Sequence, residues 1–571
     1  MAFCSAMNNY TLNEKNCISL TLDGSSNEDL GLVNLYNDAV GKRGKNSKID
    51  TLKYDNLFDY ICNKIDKLEE EQKKTYISYF IKLLFLIRDH KDGNGERDIF
   101  YTLFYRLYNK YPKIVVFSFP LLTGGYSNIN DDNYDEDVYN DKPFGSFLDL
   151  NKLYDLADDD SSNSVGFRKH LIDYYINCLK KDIRKDYPSL AVKWIPREKK
   201  KYHDMACDIV DTLFNNNNME KNRKFKNYRK LIKVLSDKMV IIEQLMTENR
   251  WDEIEVKNIP SRALKKYLYA FKNENKTDGK IRHPNDIKRM ELRKKMLLEL
   301  NKSAETTQLN VTTLQPYEIV KSVISYGNLN SSEEENIIAM WNKYSYEFKK
   351  KLETDKLLKE NLNMIILADV SGSMTGTPLE ACLSLSLLLT DILDGVWKNK
   401  ILTFESNPKW HNIPEDFNIV KKIEFLKNAP WGGSTNIGRA LEMILNVALV
   451  NKISKEDMPK KMVIFSDMQF DQAIDYHDQF KTGFEILENK FKSNGYDLPH
   501  IIFWNLRGDT LGYNNKTTQK GTTMLSGFGP ASFKSFMNAD FNIDDSPWQT
   551  LKNLLSSSRL SKLDDIIKKY L

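Results

Sequence analysis

The chain has 571 residues, with 83 Lys and Arg against 79 Asp and Glu and a net charge of +4. That length implies several domain-sized units. A mean hydropathy of −0.52, with no apolar run long enough to cross a bilayer, argues against a membrane protein. The six cysteines are scattered, with no C-x-x-C pair and none beside a histidine pair, so neither a disulfide scaffold nor a zinc ribbon is expected.

Residues 1–50 are polar, and the first seven lack the basic and apolar regions of a signal peptide. They read as a loosely ordered leader, and reduced thiols point to the cytoplasm. From 51 to 355 helical periodicity dominates. Residues 76–88, 98–111, 225–246 and 290–300 carry the strongest apolar stripes. Many helices in series with short links predict an α-solenoid of helix pairs, although no fixed-period repeat is visible. The acidic stretch Asp131–Asp141 lacks the glycine of a calcium-binding EF-hand loop, so it reads as a solvated insertion.

Charge is uneven within this region. Residues 181–300 hold 30 Lys and Arg against 18 Asp and Glu. Two clusters interleave cations with aromatic residues. One is Lys193, Trp194, Arg197, Lys199, Lys200, Lys201 and Tyr202. The other is Arg223, Lys224, Phe225, Lys226, Tyr228, Arg229 and Lys230. Cations track phosphates, and aromatic faces stack unpaired bases. The plain alternative is a solvated lysine-rich surface whose aromatic residues are core.

From 356 to 571 the pattern changes. Apolar strands at 364–370, 400–404, 462–465 and 501–506 alternate with helices, a further strand is expected near 523–527, and closing helices follow 547. Alternation of this kind predicts a doubly wound α/β domain with a mostly parallel sheet. The first strand ends in Asp369-Val-Ser371-Gly-Ser373. A Gly-rich loop, 431–436, contains Thr435, and a second buried strand ends in Asp467. The two later positions follow Asp369 by 66 and 98 residues. Hard oxygen donors on a tight turn suit Mg²⁺ or Mn²⁺.

This Asp-x-Ser-x-Ser, Thr, Asp series resembles the metal-ion-dependent adhesion site of von Willebrand A domains. The resemblance implies that Ser371, Ser373 and Thr435 contact the ion, while Asp369 and Asp467 hold its waters and orient the hydroxyls. An open position would accept a carboxylate or phosphate oxygen of an acidic partner. Ser434 stands where many A domains have a second threonine, which bears on the role of Thr435.

Further motifs widen the resemblance. Arg88-Asp with Gly93-x-Gly95-Glu-Arg-Asp98, Ser189–Trp194, Trp251–Ile254 with Pro260–Ala263, Phe465–Met468 and Ile502–Arg507 resemble an uncharacterised domain family of plants, giant viruses and some other microbes. That family is similar in architecture to TROVE-module proteins such as the Ro autoantigen, in which a ring of HEAT-like helices is closed by a von Willebrand A domain. The resemblance implies a multidomain chain: a HEAT-like all-α region over 51–355 and a Rossmann-like A domain over 356–571. It also implies RNA binding, and a place in the host cytoplasm or the virion for a giant-virus member.

Enzymatic chemistry is not expected. Gly93-Asn-Gly-Glu lacks the frame of a phosphate-binding P-loop, no nucleophile elbow is present, and the seven histidines are isolated. Two expectations stand: an RNA-binding scaffold with a divalent-metal site, or a metal-dependent protein–protein assembly module without nucleic acid.

Overall fold

The structure is a computed structural model. It describes residues 10–12, 18–20, 30–40, 51–126, 143–157, 161–215, 219–239, 241–311, 313–326, 329–353, 363–403, 408–428, 437–468, 486–508, 521–529 and 546–571. The acidic stretch 131–141 and the loop 431–436 with Thr435 lie outside these residues. Packing divides the chain into two compact units: Ile49–Glu248 with Leu555–Leu571, and Asn249–Leu554 with Met1–Lys48. The division falls at 248/249 rather than at the expected junction near 355.

The first unit is helical throughout its described residues. Its central helix, Glu70–Arg88, reads Tyr-Ile-Ser-Tyr-Phe-Ile-Lys-Leu-Leu-Phe-Leu-Ile from residue 76, apolar on nearly every side, and it is buried from Phe80 to Arg88. A helix apolar all round belongs inside. Phe85, Phe100 and Phe104 are fully buried. The rings of Phe100 and Phe104, from helix Asp98–Lys110, stack at 4.7 Å, and the ring of Phe85 meets that of Phe144 edge-on at 5.2 Å. Each such ring contributes roughly 1.5–3 kcal/mol of burial. The chain terminus joins this core: Tyr570 stacks on Phe117 at 4.1 Å, and Asp564 pairs with Lys82 at 2.8 Å.

The glycine motif of the resemblance has a structural role here. The backbone N–H of Asn94 donates to Leu86 O at 3.1 Å, closing the chain over the end of helix Glu70–Arg88. A Cβ on Gly93 would stand 1.9 Å from that same oxygen, so only glycine allows the turn. Arg88 is spent inside the unit, where it donates to Asp149 Oδ2 at 2.6 Å.

The second unit contains the sheet. A small antiparallel hairpin, β1 (Tyr10–Leu12) and β2 (Ile18–Leu20), stands apart from it in pairing. The main sheet comprises β3 (Met364–Ala368), β4 (Lys400–Thr403), β5 (Lys409–Asn412), β6 (Lys461–Ser466), β7 (His500–Asn505) and β8 (Thr522–Ser526), in the order β5-β4-β3-β6-β7-β8. All pairings are parallel except β4 with β5. β3, β7 and β8 are buried at every position, as strands of a parallel sheet covered on both faces are. Ile365, Leu367, Met462, Ile464 and Phe503 pack with Leu441 and Ile444 of helix Ile437–Asn451. Helix Thr377–Ile392 also contacts β3 and β6. The mixed α/β sheet and the mainly helical remainder agree with the expected combination of architectures.

Two findings differ from expectation. Residues 30–38 form a helix rather than a loose leader, with Leu32, Leu35 and Tyr36 buried. This helix docks on β8: Ser526 Oγ donates to Tyr36 O at 2.6 Å, and Asn505 Nδ2 donates to Asn37 O at 2.8 Å. Helices Pro316–Tyr326 and Ser331–Glu353, assigned from sequence to the helical region, pack on Thr377–Ile392 and Ile419–Lys427 beside the sheet. Lys321 Nζ and Ser325 Oγ both donate to the buried Glu380, each at 2.9 Å.

Candidate metal centre

Strand order locates the site. From β3 the chain moves outward to β4 and β5, then returns to the other side of β3 to form β6. The order therefore reverses between β3 and β6. Ligands of open α/β sheets bind beyond the carboxyl ends of strands at such a reversal. Asp369 follows the last residue of β3, and Asp467 follows the last residue of β6.

Both carboxylates are buried, Asp369 at 1% exposure and Asp467 at 0%. The Asp369 N–H continues the ladder to Phe465 O at 2.9 Å. Its carboxylate accepts from Ser371 N–H at 2.9 Å and from Ser466 Oγ at 2.7 Å. Burial pushes the Asp369 carboxyl above the usual carboxylate range, and the like charge of Asp467 adds to the rise. Excess buried negative charge favours a cation.

The turn after β3 supplies hydroxyls. Ser371 is buried and Ser373 half-buried, with their Oγ atoms 2.8 Å apart. A short 3₁₀ turn, Gly372–Met374, holds this spacing. Gly376 then adopts φ +96°, a left-handed conformation that admits glycine and leads into helix Thr377–Ile392.

The structure thus brings Asp369, Ser371, Ser373 and Asp467 to one sheet edge. The donor set fits a hard divalent ion, since every side-chain donor is oxygen. Among the described residues no group of three or more His, Cys, Asp and Glu is placed to hold a metal. Sequence reasoning missed two participants. Ser466 donates to Asp369 while its oxygen accepts from Met468 N–H at 3.1 Å. Arg507, two residues beyond β7, places Nη1 3.4 Å from Asp467 Oδ2. Both belong to motifs of the family resemblance, but only their strand-end positions beside Asp467 reveal the roles.

The basic clusters lie in the helical unit. On helix Lys221–Asp237, Phe225, Tyr228, Ile232 and Leu235 are buried. Arg223, Lys226, Lys230 and Lys233 are exposed. Their spacing of three, four and three residues sets them along one helical face. Lys233 was not among the expected residues. Other cations are paired within the unit: Lys193 with Glu243 at 3.6 Å, Lys224 with Asp211 at 3.0 Å, and Arg229 with Glu198. Arg197 is exposed and donates to Val192 O at 3.4 Å. Lys199, Lys200 and Lys201 are exposed on a turn where Lys199 has φ +57°. Trp194 is half-buried, with Lys193 over its ring at 5.9 Å.

A separate cavity of about 410 Å³ is lined by Trp341, Asp391, Lys398, Glu415 and Lys422 among others. Its charges are satisfied within the unit: Lys422 and Trp341 Nε1 donate to Asp391 at 2.5 and 2.8 Å, and Lys398 pairs with Glu415 at 3.6 Å. Among the described residues there is no disulfide: Cys62, Cys178 and Cys382 are buried free thiols, and Cys207 is half-buried. No described helix is long and apolar enough to cross a membrane.

Residues 363–562 match the model of a family described as a domain of unknown function, DUF7788. The chain is also similar to uncharacterized protein L728 of Acanthamoeba polyphaga mimivirus, with 27% identity over 505 residues, 85% of this chain and 80% of the relative. That coverage exceeds the length of either compact unit, so the likeness reaches into both. The similarity agrees with the resemblance to an uncharacterised giant-virus family.

Proposed function

We propose that this chain is a non-enzymatic binding protein with a von Willebrand A-type site for Mg²⁺ or Mn²⁺ and a TROVE-like, HEAT-like helical region that binds RNA. The observation that carries the metal reading is the meeting of Asp369, Ser371, Ser373 and Asp467 at the reversal of strand order. In this reading Ser371 and Ser373, with Thr435, supply hydroxyls to the ion. Asp369 and Asp467 orient its waters. The ion supplies an electrophilic open position for a carboxylate or phosphate oxygen of an acidic partner. RNA binding is supported by the exposed cationic face of helix Lys221–Asp237. A cytoplasmic or virion setting is consistent with the giant-virus relative and with free thiols.

The pairing of Lys193, Lys224 and Arg229 with acids of their own unit favours a second reading, a metal-dependent protein assembly module without nucleic acid. One experiment separates the two. The full chain is titrated with Mg²⁺ by thermal shift, then with a fluorescent single-stranded RNA at rising salt. A Mg²⁺ shift with salt-sensitive RNA binding supports the scaffold. A Mg²⁺ shift without RNA binding at low salt supports the assembly module. Absence of any Mg²⁺ response rejects the metal site in both.

A further inference from the structure

The candidate centre contains a cation of its own. Asp467 and Arg507 stand beyond the carboxyl ends of the neighbouring parallel strands β6 and β7. Their side chains are 0% and 8% exposed, so water screens the pair little. The root of Arg507 is fixed from two directions. Its own N–H donates to Asn505 Oδ1 at 2.9 Å, and the preceding Leu506 N–H donates to Ser466 O at 2.9 Å. Asn505 is in turn held by helix Leu30–Asp38 through Asn37 O. The backbone therefore presents the guanidinium to Asp467 from a rigid mount.

Among the described residues, the buried carboxylates of Asp369 and Asp467 stand at this sheet edge, and Arg507 pairs with the second of them. Asp369 is held by neutral donors, the Ser371 N–H and the Ser466 hydroxyl. The Arg507 bond to Asp467 is 3.4 Å long. A charge-assisted N–H···O bond is ordinarily about 2.7–2.9 Å. So long a bond can be displaced.

We propose that Arg507 is a tethered competitor of the divalent ion: it neutralises Asp467 in the metal-free protein and gives up that carboxylate when the ion enters. The inference rests on the metal reading above. Arg507 offsets the negative charge of Asp467 that an incoming ion would meet, and it reduces the cost of keeping that carboxylate buried. The centre therefore binds its ion weakly, and the unit folds without it.

The test uses Mn²⁺ as probe and the full chain. The electron-paramagnetic-resonance signal of free aqueous Mn²⁺ reports binding, and Asp369→Asn defines the background from other sites. Circular dichroism verifies folding. Arg507→Met is expected to bind Mn²⁺ at the Asp369-dependent site at least about tenfold more tightly than wild type, the equivalent of ~1.4 kcal/mol. Arg507→Gln, neutral but still able to donate to Asp467, is expected to move in the same direction and serves if the Met variant fails to fold. Equal or weaker binding by the folded variants, with wild type binding, overturns the competitor role and leaves the metal site intact. Absence of Asp369-dependent binding in all of them removes the metal site and the inference together.

Discussion

Arg559 and Asp89 are 470 residues apart in the chain and are joined by two hydrogen bonds, Nη2 to Oδ1 at 2.9 Å and Nε to Oδ2 at 2.5 Å. The Asp89 side chain is 3% exposed, and the guanidinium also lies over the Phe144 ring at 4.5 Å. Planar, bidentate pairing is the strong form of this interaction.

Arg559→Ala leaves the Asp89 carboxylate buried without its cation, facing the neutral Lys91 N–H of its own loop. Removing one partner of a buried ion pair costs about 3–5 kcal/mol. The urea midpoint of the helical unit, followed by far-ultraviolet circular dichroism, is expected to fall accordingly. An unchanged midpoint would remove the pair from the account of stability.

Asp369→Asn tests the cost of the candidate centre. The substitution removes one of two buried like charges and retains a side chain that can accept from Ser371 N–H. The metal-free variant is expected to melt higher than wild type at neutral pH, by roughly 2–4 °C for each kcal/mol gained. It is also expected to lose its response to Mg²⁺. A variant that melts lower and still responds would contradict both expectations. Stability given up for a functional charge is common at binding sites.

Lys461 opens β6 and is pushed down to about 8, first by burial and then by the charge of Lys460. The folded chain thus releases this proton near pH 8, while the unfolded chain keeps it to about pH 10.4. Between these values unfolding takes up a proton, so the contribution to stability rises with pH. Relative to Lys461→Met, the wild type is expected to gain on the order of 1–3 kcal/mol from pH 8 to 10, as read from paired urea titrations. A constant difference across that window would show that Lys461 is not desolvated.

The cationic face of helix Lys221–Asp237 gives a nucleic-acid expectation. Replacing Arg223, Lys226, Lys230 and Lys233 by Gln leaves the buried Phe225, Tyr228, Ile232 and Leu235 untouched. Every phosphate that the variant no longer neutralises is expected to flatten the slope of log K against log salt by about 0.7 for single-stranded RNA. Fluorescence anisotropy at several salt concentrations measures the slope. No change in slope would mark these residues as ordinary surface.

A protease site engineered within residues 354–362 probes the packing of helices Pro316–Tyr326 and Ser331–Glu353. After cleavage the two fragments are expected to elute together in gel filtration. Lys321, Ser325 and Trp341 on one side bond Glu380 and Asp391 on the other. Separation into independent pieces would contradict that packing.

β3, β6 and β7 were legible because each carries a run of four or more apolar residues followed by a polar one, and such runs have few other readings. β5 was not legible: Lys409-Trp-His-Asn412 offers four residues with no apolar run. Helix Leu30–Asp38 was hidden because its buried face acquires meaning only against β8. The strand-end turn with Asp369, Ser371 and Ser373 was legible because its polar residues follow directly on a buried apolar strand. The site was not legible where a neighbouring strand supplies the partner, as with Ser466 and Arg507. The basic clusters were visible as composition, but their partners Glu198, Asp211 and Glu243 emerge only from folding.

Both compact units are discontinuous in the chain, and this imposes an order on synthesis. Residues 49–248 leave the ribosome long before 555–571, the segment that brings Arg559 to Asp89 and Tyr570 to Phe117. At roughly 5–20 residues per second, that interval is tens of seconds. Meanwhile helix Leu30–Asp38 waits for β8 with its apolar face uncovered. The nascent chain therefore carries two unfinished surfaces at once, and premature termination upstream of 555 leaves the helical unit permanently without its final helix.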